Sequence, residues 1–138
     1  EFKTKLKVNP TSINFADTMQ VIEDNYNFSP TTFTNGELKN NSGENSGSCK
    51  LFAFAQHQKL RKEETLFCFG EHYKNVLEDE NGDSHQNIRN FMKSGFDGLS
   101  FDGEVLKFNF NLSSIDDILI SMKRIIFSHQ IKSLFLFL

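Results

Sequence analysis

Apolar residues recur at helical spacing along much of the chain, and two short alternating stretches lie between those segments. Phe15, Met19, Ile22 and Tyr26 stand at i, i+4, i+7 and i+11, which predicts an amphipathic helix from about Asn14 to Asn25. Ser29-Pro30 must close it, because the residue before a proline avoids the helical region. Thr31-Thr32-Phe33-Thr34 is β-prone and Asn35-Gly36 is a strong two-residue turn signal, so residues 31–39 read as a small hairpin or as a wide loop around one buried Phe33. Leu51, Phe52 and Ala55, flanked by Phe54, place a helix over about 48–58. Leu66, Phe69, Tyr73, Val76 and Leu77 predict one continuous helix from about Lys62 to Leu77. Asp83 or Ser84 can cap a third short helix over 84–93 that buries Ile88, Phe91 and Met92 and stops near Gly95. Beyond it Leu99-Ser100-Phe101 alternates, Asp102-Gly103 turns and Val105-Leu106 returns, the pattern of a second hairpin.

The pattern sums to an α+β fold: a small single domain of three or four short helices with one or two β-hairpins over residues 15–106. Residues 1–14 are polar and Lys-rich and are expected to be a flexible amino-terminal segment. Residues 107–138 form an unassigned tail. Ile115, Ile118, Leu119, Met122, Ile125 and Ile126 follow helical spacing there, opposite Asp116, Asp117, Lys123 and Arg124. The apolar end Leu134–Leu138 and the Phe/Leu/Ile bias leave two readings of this tail, an amphipathic helix or a gene-model artefact.

Composition narrows the function classes. A chain of 138 residues can bury a core without metal or disulfide staples, and 38% hydrophobic residues argue against wholesale disorder. The net charge of -3 provides no broad attraction to nucleic acid or to anionic membranes, so neither partner is expected. Two cysteines make no disulfide framework, and no run of 18 apolar residues stands anywhere in the chain. The expectation is a soluble, cytoplasmic monomer.

Residues 43–50, Gly-Glu-Asn-Ser-Gly-Ser-Cys-Lys, carry the most chemistry. They are not a P-loop, since Gly43 and Gly47 are too close and Ser48-Cys49 precede the lysine. A helix start here offers N–H groups, the Ser48 hydroxyl and the Lys50 ammonium to an anion; the alternative is a helix merely capped by Ser48. Asn45, Asn87 and Arg89 can complete such a ligand-binding set, or Arg89 can form a structural salt bridge to Asp102 or Glu71. Cys49 falls in the first helical turn, where the dipole lowers a thiol pKa, and His85 is the best available base, with Asn45 or Asp83 to orient it. The other reading of Cys49 is a small buried side chain. Cys68 and His72 stand four apart, but Cys68 sits in the apolar run Leu66-Phe67-Cys68-Phe69, so no metal and no cofactor are expected.

The motifs also stand in a familiar order. Thr18-Met19 and Val21-Ile22 come first, then Ser29-Pro30-Thr31-Thr32-Phe33, Asn35-Gly36 and Gly43 through Ala55. Thr65-Leu66, Phe69-Gly70 and Tyr73 follow, then His85, Asn87-Ile88-Arg89-Asn90-Phe91, Gly95-Phe96 and Phe101-Asp102-Gly103. Together they resemble the HopJ type III effector family over about residues 15–106. That family is named for a protein injected into host cells by plant-pathogenic bacteria, and secretion is implied for some members. Phe96 stands where the family pattern has Trp, and residues 107–138 have no counterpart. The resemblance implies membership without an activity, a substrate or catalytic residues. The functional expectation is a small-ligand or peptide- or protein-binding module; the alternative is a Cys-dependent hydrolase or transferase using Cys49 and His85. Whether the protein is an enzyme stays open at this level.

Overall fold

The computed structural model describes residues 1–109 and 112–136. Two units divide at Phe108. In the first, the segment expected to be flexible carries α1 (Phe2–Val8) and a 3-10 turn over Pro10–Ser12. Leu6 and Ile13 are buried, and the Phe2 ring stands edge-on to Phe54 at 5.9 Å. Two apolar residues, Phe2 and Leu6, therefore suffice to seat this lysine-rich helix.

Helix α2 (Phe15–Asn25) follows the predicted stripe, and its first turn is closed by Asp17, whose carboxylate accepts the Asn14 N–H at 2.9 Å. Strand β1 (Tyr26–Phe28) continues it directly. Next come β2 (Phe33–Asn35) and β3 (Leu38–Asn40), the first expected hairpin. Its loop is Gly36-Glu37, because Asn35 pairs with Leu38. Gly36 has φ 61°, a conformation that glycine adopts without steric cost. The shift by one residue from an Asn35-Gly36 turn puts the Asn35 side chain into the interior.

Helix α3 (Ser46–His57) is the centre of the core. Cys49 and Leu51 through Ala55 are all buried, so the helix is packed on every side rather than along one stripe. The Phe52 ring lies 5.4 Å from Phe69 and 4.9 Å from Phe91. The single helix expected over 62–77 is two, α4 (Lys62–Phe67) and α5 (Glu71–Glu78), with Gly70 between them at φ 57°. A Cβ on Gly70 would stand 2.5 Å from the Phe15 nitrogen, so glycine is what lets the two backbones meet.

Helix α6 (Gln86–Ser94) leads through a 3-10 turn to β4 (Leu99–Phe101) and then to β5 (Leu106–Phe108). The second expected hairpin does not form. Strand β4 pairs with β2, completing an antiparallel sheet of order β3-β2-β4, while β5 pairs with β1. The Asp102-Gly103 bend thus links two separate sheets. The α+β class holds, with both small sheets antiparallel.

The second unit holds α7 (Leu112–Leu136), on which Ile118, Leu119, Ile125 and Phe127 are exposed. Phe137 and Leu138, of the expected apolar end, lie outside the described residues. No helix among the described residues is long and apolar enough to cross a membrane.

Candidate ligand-binding site

The first turns of α2, α3, α5 and α6 border one cleft of about 440 Å³. Its floor is apolar, from Phe15, Leu38, Phe69 and Ile88. Its polar rim comes from Asn45, Gly47 and Ser48 on α3, His72 on α5, and His85 through Asn87 on α6. The Gly70 break brings α5 and α2 together here, and the Glu71 carboxylate accepts the Phe15 N–H at 3.1 Å. That contact closes the amino end of α2.

The ends of α3 and α6 stay open. Among the described residues no side chain caps either helix. Their N-cap residues, Asn45 (φ 49°) and His85 (φ 53°), both adopt the left-handed conformation. Asn and His tolerate that region better than most side chains, yet it still stores strain. Uncapped helix starts carry unpaired N–H groups and partial positive charge, which together suit an anion.

Asparagines join the two ends from behind. Asn45 donates to the Asn40 side-chain oxygen Oδ1 at 2.7 Å instead of capping its own helix. Asn40 and Asn87 exchange side-chain bonds of 2.9 and 3.2 Å, and Asn35 donates to both the backbone and side-chain oxygens of Asn87. Asn35, Asn40 and Asn87 are buried, and the Asn35 side-chain oxygen is the buried acceptor without a partner among the described residues. Such a network ties hairpin, α3 and α6 into one arrangement.

Beside it stand two histidines. The His72 and His85 rings lie 5.0 Å apart, and the Phe15 ring meets His72 edge-on at 4.9 Å.

Of the residues expected at a site, Asn45, Ser48, His85 and Asn87 border this cleft. Cys49, Lys50 and Arg89 have other engagements. The Cys49 thiol is buried and donates to the Thr31 carbonyl at 3.6 Å, and loss of hydration pushes its pKa up, outweighing the Thr31 contact and the Lys50 charge, which pull it down. His85 meets His72 rather than a thiol. The Lys50 ammonium lies 4.8 Å from the centre of the Phe28 ring. Arg89 donates to the backbone carbonyls of Asp79, Glu80 and Ser84, so it pins the acidic loop before α6 and makes no salt bridge to Asp102 or Glu71. Cys68 ends α4, ahead of the Gly70 break, and burial pushes its thiol up to about 12. It shares no helical face with His72. Among the described residues no group of three or more His, Cys, Asp or Glu stands together to hold a metal. Asn35, Asn40 and the position of His72 beside the cleft went unforeseen, since no periodicity marks a buried asparagine.

Two comparisons place this geometry among known proteins. The HopJ type III effector protein family model matches residues 1–106. The crystal structure of a protein of unknown function, VPA0580, is similar with a TM-score of 0.77 and 48% identity, over 78% of this chain and 91% of that one. Among curated proteins, none matches the chain.

Proposed function

The chain belongs to the HopJ family, whose name supplies no chemistry, and from its own cleft we propose that it is a binding module for a small anionic ligand. The observation that carries this reading is the convergence of two uncapped helix starts, at Gly47-Ser48 and Gln86-Asn87, on one concave space. The Ser48 hydroxyl and the His85 ring add donors on the same rim, and the Asn40–Asn45–Asn87 bonds hold the two starts in register. The apolar floor of Phe15 and Phe69 gives an organic ligand a surface to rest on.

Backbone amide NMR tests the proposal directly. Titration with sulfate, phosphate and acetate should move the signals of Ser46, Gly47, Ser48, Gln86 and Asn87 together and saturably. Shifts confined to the basic groove of Lys3, Lys7, Lys59 and Arg61 would overturn it.

A further inference from the structure

Resting on that anion-binding reading, we infer that binding in the cleft is proton-linked: a tetrahedral oxyanion enters together with one proton, which the His72–His85 pair holds. The rings are 5.0 Å apart and tilted by 39°. Two imidazolium charges at that separation repel each other, and the open ends of α3 and α6 add positive charge to the same space.

Few charged groups stand around the pair. On α5, Glu71 Oε1 lies 3.7 Å from His72 Nε2, while its other oxygen accepts the Phe15 N–H. On α6, Gln86 is neutral and its side chain donates to the Asp83 carbonyl, and Arg89 is spent on the carbonyls of residues 79–84. On α2 and β3, Phe15 and Leu38 face the cleft without charge. Asp17 is held by the Asn14 N–H and Lys5, and Glu44 by Asn41. Among the described residues Glu71 is the carboxylate paired with either ring. An oxyanion seated in the cleft adds a second negative charge beside the rings, and negative charge close by favours a protonated imidazole. Linkage is reciprocal, so the proton strengthens the anion by the same factor. A tetrahedral oxyanion fits best, having enough acceptors to reach both helix starts and an imidazole at once.

Sulfate is the clean probe, since its own charge does not change in the relevant range. Calorimetric titration of the full chain from about pH 5.5 to about pH 8, in two buffers of different ionisation enthalpy, reads affinity and proton uptake together. The expected result is affinity that falls up to about tenfold per pH unit above the ordinary histidine range near 6.5, with uptake approaching one proton per sulfate. His85→Gln and His72→Gln should each flatten the profile. His57→Gln, whose ring packs on Tyr26 outside the cleft, should leave it unchanged. Phenyl sulfate, the same oxyanion on an organic group, separates the sources: tighter binding than sulfate assigns the site to an anionic group on a larger ligand, equal binding to a free ion. Equal sulfate affinity at both ends of the pH range, or a slope that survives both histidine substitutions, overturns the proton linkage and leaves the anion cleft standing. No sulfate binding at any pH removes both.

Discussion

Ser48 and Cys49 are adjacent in the first turn of α3 and belong to different parts of the molecule. Ser48 borders the cleft between the helix starts, whereas Cys49 is 1% exposed and its thiol bonds to the Thr31 carbonyl. Successive helical residues point about 100° apart, so a motif contiguous in sequence is divided between two environments. The glycine-rich stretch thus serves the core through one residue and the surface through its neighbour. The chemistry follows: the helix start is available to a ligand, while the thiol is shielded and its ionisation suppressed.

The contrast can be broken most severely at Gly70, which supports both sides. Gly70→Ala places a methyl group against the Phe15 and Asn14 backbone at a positive φ, and is expected to cost about 3–5 kcal/mol in urea unfolding. A loss under about 1 kcal/mol would mean that the α2–α5 approach is readily relaxed. Asn87→Ala comes next. It leaves the Asn35 and Asn40 amides without their shared acceptor, for an expected loss of about 2–4 kcal/mol, together with weaker sulfate binding.

Core thiols should also be visible as a pH effect. An unfolded thiol ionises near 9, whereas folded Cys68 keeps its proton to about 12 because burial penalises the thiolate. Between those values the unfolded state binds fewer protons. Stability is then whole below pH 9 and falls by about 1.4 kcal/mol per pH unit as pH rises toward 12. Guanidinium unfolding of the wild type and of Cys68→Ala at two alkaline pH values checks this, the variant showing the shallower slope. Smallest of all is the difference between the neighbours themselves. Cys49→Ser should cost about 1–2 kcal/mol with sulfate affinity intact, and Ser48→Ala should change stability by under about 0.5 kcal/mol while weakening sulfate. The opposite assignment of the two effects would dissolve the division.

Local patterns were legible where one element decides its own shape. The stripe Phe15-Met19-Ile22-Tyr26 gives α2, and Ile88, Phe91 and Met92 with a stop at Gly95 give α6. The elements that escaped depend on distant partners. The break at Gly70 exists because the backbone of α2 approaches it. Leu99–Phe101 looked like half of a hairpin, yet it pairs with Phe33–Asn35, more than sixty residues earlier. Sequence pointed to Asn45, Ser48 and Asn87 as ligand-binding residues and to His85 as a base for Cys49; all four border the candidate cleft. The fates of Lys50 and Arg89 were not, because a ring and three backbone carbonyls claim them through tertiary contacts that no local motif encodes.

The placement of Asn35 also bears on how this protein ages. Asparagine followed by glycine is the dipeptide most prone to spontaneous deamidation, a reaction in which the glycine nitrogen attacks the asparagine side-chain carbonyl. Here the Gly36 N–H is committed to the Gly98 carbonyl at 2.8 Å, and the Asn35 amide is held by Asn87. The attack cannot be reached without breaking the contacts of residues 35 and 36 with Asn87 and Gly98. Deamidation at residue 35, read by mass spectrometry on stored samples, would therefore serve as a chemical clock for the time each molecule has spent open.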